Sequence, residues 1–108
     1  MVTSQHAAAV SRLGQALSDE TRTRILLALW DAPGYPAQLA SALGVSRQVM
    51  SNQLACLRGC GLVVGEPEGR RTRYRLAADR LGPAFGVLLG LTLTVDPSCC
   101  TPHGCTCR

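Results

Sequence analysis

Between residues 36 and 59, two stretches of helical periodicity are separated only by Gly44, Val45 and Ser46. Pro36 occupies a position that a helix start tolerates, and Leu39, Ala40 and Leu43 then face inward together. Gly44 ends that helix, and Ser46 is placed to cap a second one running to about Gly59. Met50, Leu54 and Leu57 recur at i, i+4 and i+7 and form its core stripe. A helix, a short glycine-containing turn and a second capped helix make the helix-turn-helix pattern. The next residues narrow it further. Leu62-Val63-Val64 reads as a short strand, Glu66-Pro67-Glu68-Gly69 as a turn, and Arg70 to Leu76 as a return strand. Period two sets Arg71, Arg73 and Arg75 on one face, with Thr72, Tyr74 and Leu76 on the other. A hairpin directly after the second helix is the wing of a winged helix-turn-helix.

The flanking segments complete a mainly α fold with one small β-hairpin. Residues 6–17 form a first helix with Val10, Leu13 and Leu17 on one face. Ser18-Asp19-Glu20 breaks it and caps the next, which carries Ile25, Leu26, Leu29 and Trp30 and closes at Asp31-Ala-Pro-Gly. Asp79 to Val95 is a last helix whose apolar residues cover nearly every face, so it must be buried on more than one side. A domain of 108 residues cannot supply that cover from its own core, and a homodimer through the terminal helices is expected. The chain divides into a domain over residues 1–95 and a cysteine-rich tail over 96–108. No run reaches the roughly 18 uninterrupted apolar residues of a membrane span. Residues 1–6 lack a basic region followed by an apolar one, so no signal peptide is expected and the protein is read as cytoplasmic.

Charge is informative once it is placed. All eleven basic residues are arginines, and the segments before residue 47 and after residue 80 are each neutral. The whole net charge of +4 therefore falls in residues 47–80, on the second helix and the hairpin. A local basic patch on a neutral body suggests an anionic polymer, and its position on a winged helix-turn-helix makes that polymer double-stranded DNA. The helix that would enter the major groove presents Arg47, Gln48, Ser51, Asn52 and Gln53, and Arg, Gln and Asn can each make paired contacts to base edges. Arg70, Arg71 and Arg73 of the hairpin are placed for phosphates. A dimer would read an inverted repeat. No catalytic set of Ser, His and Asp, no paired carboxylates and no phosphate loop can be built from two histidines and seven acids, so no enzyme is expected.

The six cysteines are unevenly spread. Cys56 and Cys60 are four apart, which puts both sulfurs on one side of the helix, close enough to share a soft ion or to pack as small hydrophobes. The tail has no hydrophobic periodicity, yet Cys99, Cys100, Cys105 and Cys107 are four of its thirteen residues. Vicinal and Cys-x-Cys thiols are chelating arrangements, and thiolate-rich sites favour soft ions. Two other uses fit the same thiols: a redox switch that closes a disulfide, and metal buffering without sequence-specific DNA binding. His6 and His103 are read as bystanders, although His103 lies beside the tail thiols.

Leu43-Gly-Val-Ser-Arg-Gln-Val-Met-Ser-Asn-Gln-Leu-Ala-Cys-Leu-Arg-Gly-Cys-Gly-Leu-Val, followed by Glu68-Gly-Arg and Arg73-Tyr-Arg-Leu, resembles the ArsR/SmtB family of metal-responsive repressors. Arg12-Leu-Gly-Gln-Ala-Leu-Ser-Asp-Glu-Thr-Arg-Thr-Arg-Ile-Leu resembles the family's N-terminal portion, and the likeness spans residues 10–95. Cys-Leu-Arg-Gly-Cys-Gly-Leu-Val at 56–63, with Val95-Asp96 before a tail cysteine, is similar to an actinobacterial cadmium/lead-sensing branch. That resemblance implies an apo dimer that represses from operator DNA and is released by Cd(II) or Pb(II). The implied ligands are Cys56, Cys60 and either Cys99 or Cys100. As(III), which also takes three thiolates, and Zn(II) are the alternative ions. The thiol motif many relatives carry on the helix before the turn is absent from Tyr35-Pro-Ala-Gln-Leu-Ala, and residues 79–95 hold no histidine for a last-helix zinc site.

Overall fold

A computed structural model describes residues 2–77, 79 and 81–92. The order is α1 (Ser4–Leu17), α2 (Glu20–Asp31), α3 (Pro36–Leu43), α4 (Arg47–Gly59), β1 (Val63–Glu68), β2 (Arg71–Leu76) and α5 (Leu81–Thr92). This is the expected winged helix-turn-helix. The tail with Cys99, Cys100, Cys105 and Cys107, and the last residues of the expected final helix, lie outside the described residues.

Local chemistry sets most boundaries. The Thr3 hydroxyl accepts from the His6 amide while the Thr3 amide donates to His6 Nδ1, a reciprocal cap that starts α1 two residues earlier than periodicity suggested. His6 thus has a capping role that the sequence reading did not assign. Asp19 caps α2 through the Arg22 amide at 2.9 Å, and Ser46 caps α4 through the Val49 amide at 3.0 Å. Pro36 opens α3 as expected, and Gly44 closes it at φ 70° and ψ 31°, a left-handed conformation that costs a side-chain-bearing residue energy.

The core draws on every element. Ile25, Leu26 and Leu29 of α2 meet Leu39 and Ala40 of α3 and the expected stripe Met50, Leu54 and Leu57 of α4. Ala16, Val63, Tyr74 and Phe85 close it from α1, the wing and α5. Burying each large side chain contributes about 1.5–3 kcal/mol, so this cluster holds α4 against the body. Two positions expected inside are not. Val10 is 68% exposed, and Trp30 is 41% exposed, resting edge-on against Phe85 with ring centroids 6.1 Å apart. On α5, Val87 is 68% and Leu91 63% exposed, so the apolar face foreseen for a second subunit is open on the single chain.

The wing departs from expectation in its turn. Glu66, Pro67 and Glu68 are strand residues, paired with Arg73, Thr72 and Arg71, and the chain reverses at Gly69-Arg70. Both strands of a two-stranded hairpin are edges, so Pro67 can omit its amide donor without breaking a central ladder. Gly69, at φ 62°, permits the tight reversal. A separate bridge ties the wing to the body. Gly34 and Tyr74 exchange backbone hydrogen bonds of 3.0 and 2.7 Å, which straps the α2–α3 loop to β2. Among the described residues, no helix is long and apolar enough to cross a membrane.

Candidate functional site

The exposed side of α4 carries Arg47, Gln48, Ser51 and Asn52, opposite its buried stripe. Gln48 Nε2 donates to Asn52 Oδ1 at 3.0 Å, so the two amides are held side by side with one polar edge outward. Gln53 differs from its neighbours. It is half-buried, and both ends of its amide bond to α1–α2 side chains rather than facing outward.

The wing meets α4 across a groove of about 390 Å³. Arg47 and Ser51 line it from the helix, Arg70 and Arg71 from the wing, and Tyr35 and Pro36 from the start of α3. Four of the residues singled out from the sequence therefore converge on one concave, basic surface. Arg73 lies on β2 outside this lining and is half-buried.

The arginine row is not uniform. The Arg75 guanidinium pairs with the Glu66 carboxylate. Arg71 lies over the Tyr35 ring, 3.9 Å from its centroid, a cation–π contact. The Tyr35 hydroxyl in turn donates to Glu68 at 2.7 Å. This bond raises the phenol above its ordinary pKa, with desolvation and the Glu68 charge adding and Arg71 and Arg73 opposing. Tyr35 was not foreseen as a site residue. Its only sequence signal is an aromatic immediately before the proline of α3, and the pairing with the wing is a tertiary contact across 33 residues.

Cys56 and Cys60 are exposed and unbridged. Gly59 ends α4, and Cys60 is its C-cap, still right-handed at φ −83° and ψ −2°, with its amide donating to the Cys56 carbonyl at 3.0 Å. The two thiols therefore keep their one-turn relation. Cys60 borders a depression of about 210 Å³ shared with Ala9, Arg12 and Leu13 of α1 and Leu81 of α5. No group of three or more His, Cys, Asp or Glu suited to a metal occurs among the described residues. Two exposed sulfur donors suit a soft ion, with the coordination completed by a donor from elsewhere.

Residues 19–64, from the cap of α2 to the start of β1, match the bacterial regulatory proteins of the arsR family. The regulator CmtR of Mycobacterium bovis is 56% identical over 88 residues, covering 82% of this chain and 75% of that protein. The chain belongs to the arsR family. The regulator NmtR of Mycobacterium tuberculosis is 42% identical over 73 residues, 68% of this chain and 61% of that one. Among solved structures, the cadmium metal-sensor CMTR of Mycobacterium tuberculosis aligns with a TM-score of 0.66 at 55% identity, covering 82% of this chain and 92% of the other. A homodimeric winged helix-turn-helix domain from Mycobacterium bovis aligns with a TM-score of 0.77 at 28% identity, covering 82% of each. The resemblance seen in the sequence is borne out in family and in fold.

As an arsR-family member the protein is a DNA-binding transcriptional regulator, and the arginines of α4 and the wing differ in what they have left to give. Replacing the exposed Arg70 with alanine is expected to lower the slope of log affinity against log salt by about 0.9, the release of one counterion's worth of phosphate contact. Arg75→Ala should change the slope far less, because Glu66 already neutralises that guanidinium. Duplex titrations across a salt series measure both slopes.

Proposed function

We propose that the protein is a metal-sensing repressor that binds an inverted-repeat operator as a metal-free homodimer and leaves it on taking up Cd(II) or Pb(II). The observation that carries this reading is the pair of exposed, unbridged thiols one turn apart at the end of the helix that also presents Arg47, Gln48, Ser51 and Asn52. Cys56 and Cys60 would supply two thiolates, and Cys99 or Cys100 of the 96–108 tail the third. The similarity to a cadmium sensor at 55% identity supports the ion class.

Chain length permits the bridge. Leu81 borders the same depression as Cys60, and the twelve residues of α5 carry the chain about 18 Å away from it. The seven residues from Thr92 to Cys99 can span up to about 25 Å, enough to return to the chain's own α4. Drawing the last turn of α4 toward a third thiol would move the reading helices out of register with successive grooves. Couplings of this kind are typically about 1–3 kcal/mol, roughly 5–150-fold in affinity. The dimer would form on the open faces of α1 and α5, where Val10, Val87 and Leu91 are exposed.

The test is operator affinity under strict reduction, metal-free and with cadmium, lead or arsenite added. Cadmium and lead should weaken binding and raise an ultraviolet thiolate charge-transfer band. Unchanged affinity with all three would overturn the reading, a response to arsenite alone would reassign the ion, and a response only to oxidant would make the protein a redox sensor.

A further inference from the structure

Gln53 sits on α4 between exposed Asn52 and buried Leu54, at the border of the reading face and the core stripe. Its amide points into the body of the domain. The Arg22 guanidinium makes three hydrogen bonds at once, two to the end of α1 and one to α4. Its Nε donates to the Ala16 carbonyl at 3.0 Å, its Nη2 to the Gln15 carbonyl at 3.0 Å, and its Nη1 to Gln53 Oε1 at 3.3 Å. Gln53 Nε2 donates in turn to Asp19 Oδ2 at 3.3 Å, the same oxygen that caps α2 by accepting from the Arg22 amide.

Two physical consequences follow. Carbonyls of the last turn of a helix have no intrahelical partner, so a cation that bonds them is fixed in place by the helix end itself. Arg22 is therefore an anchored donor rather than a mobile surface arginine. Gln53, bound at both its oxygen and its nitrogen, cannot turn outward without giving up two bonds, both to charged side chains. Apolar contacts at Met50, Leu54 and Leu57 bury the stripe but are non-directional and impose no donor–acceptor alignment on α4. A two-ended hydrogen-bonded contact at the edge of the stripe is directional and resists rolling of α4 about its own axis. Base readout needs its side chains held to about 0.5 Å and 10–20°.

We infer that Gln53 is a positioning residue. With Arg22 and Asp19 it locks the roll of the recognition helix against the junction of α1 and α2, and it makes no base contact of its own. The inference rests on the reading of the protein as a sequence-specific operator binder, and the experiment separates the two. The full-length wild-type chain is first used to select bound sequences from a randomised duplex pool; selection of a defined site tests the operator reading by itself. Gln53→Met, Arg22→Met and the double variant are then titrated against that site and against each of its single-base changes, alongside thermal melts.

Each single variant should weaken the wild-type site roughly tenfold, the loss of a hydrogen bond to a charged group. The ranking of single-base changes should stay as in wild type, and the double variant should be no weaker than the singles, since Arg22 and Gln53 act through one contact. Gln53→Glu keeps the acceptor for Arg22 and should recover part of the affinity. Relaxed preference at one base pair in Gln53→Met, absent from Arg22→Met, would make Gln53 a base reader and overturn the inference. A lowered melting temperature with undiminished affinity of the folded protein would overturn it too, since the contact would then serve stability alone. Should Gln53→Met not fold, Arg22→Lys, which keeps the charge but loses the forked geometry, carries the same comparison.

Discussion

Cys56→Ser and Cys60→Ser are each expected to leave the operator affinity of the metal-free protein within about twofold of wild type and to abolish its loss in cadmium. The first half follows from exposure. Both thiols are at the surface and in no disulfide, and serine differs from cysteine by one atom, so neither core packing nor the α4 backbone is disturbed. Surface replacements of this kind usually change stability by no more than about 0.5 kcal/mol. The second half follows from donor chemistry. A hydroxyl stays protonated at neutral pH and is a poor partner for a soft ion, so each variant reduces a three-thiolate set to two. Operator titrations with and without cadmium, run beside serine variants at 99, 100, 105 and 107, measure the response residue by residue. A Cys56→Ser protein still released by cadmium to the wild-type extent would remove the helix from the site.

A second large effect is expected at the open face of α5. Val87→Glu combined with Leu91→Glu should turn the dimer into a folded monomer and weaken operator binding by about 10²–10⁴-fold. Val87 and Leu91 are 68% and 63% exposed on the single chain, so glutamates there are solvated in the monomer and leave its own core alone. In a dimer the same carboxylates would be pressed into an apolar contact without a cation, at a cost of several kcal/mol. A monomer would also lose the second half-site of the proposed inverted repeat, whose binding is favoured by the high local concentration that tethering creates. Light scattering after size exclusion reports the mass, and a circular dichroism spectrum matching wild type shows that the monomer is folded. A doubly substituted protein that remained dimeric would place the subunit interface elsewhere.

The helix-turn-helix was legible because its signals are local. A proline start, a glycine stop and a serine cap each act within one turn of chain, and the i, i+4, i+7 stripe of α4 is buried as its spacing demands. The wing was legible in outline but its turn was placed too early. Pro67 read as a turn residue, yet a proline on an edge strand needs no ladder partner, and the reversal was left to Gly69.

The outward residues of α4 and the basic character of the wing were also visible in advance, since charge and period suffice to place them. Which of those residues have a free hand was not. Arg75 is held by Glu66, Arg71 rests on Tyr35, and Gln53 is turned inward by Arg22 and Asp19. The partner of Arg71 lies 36 residues away along the chain and those of Gln53 lie 31 and 34 away, separations that leave no mark in a local pattern. Periodicity and capping, which depend only on neighbours in sequence, determined the elements, their order and the one-turn spacing of the two helix thiols. The tertiary structure alone decided which of these polar side chains stay open at the surface and which bond inward to the body, because a side chain's hydrogen bonds go to whatever donors and acceptors folding brings within about 3.5 Å.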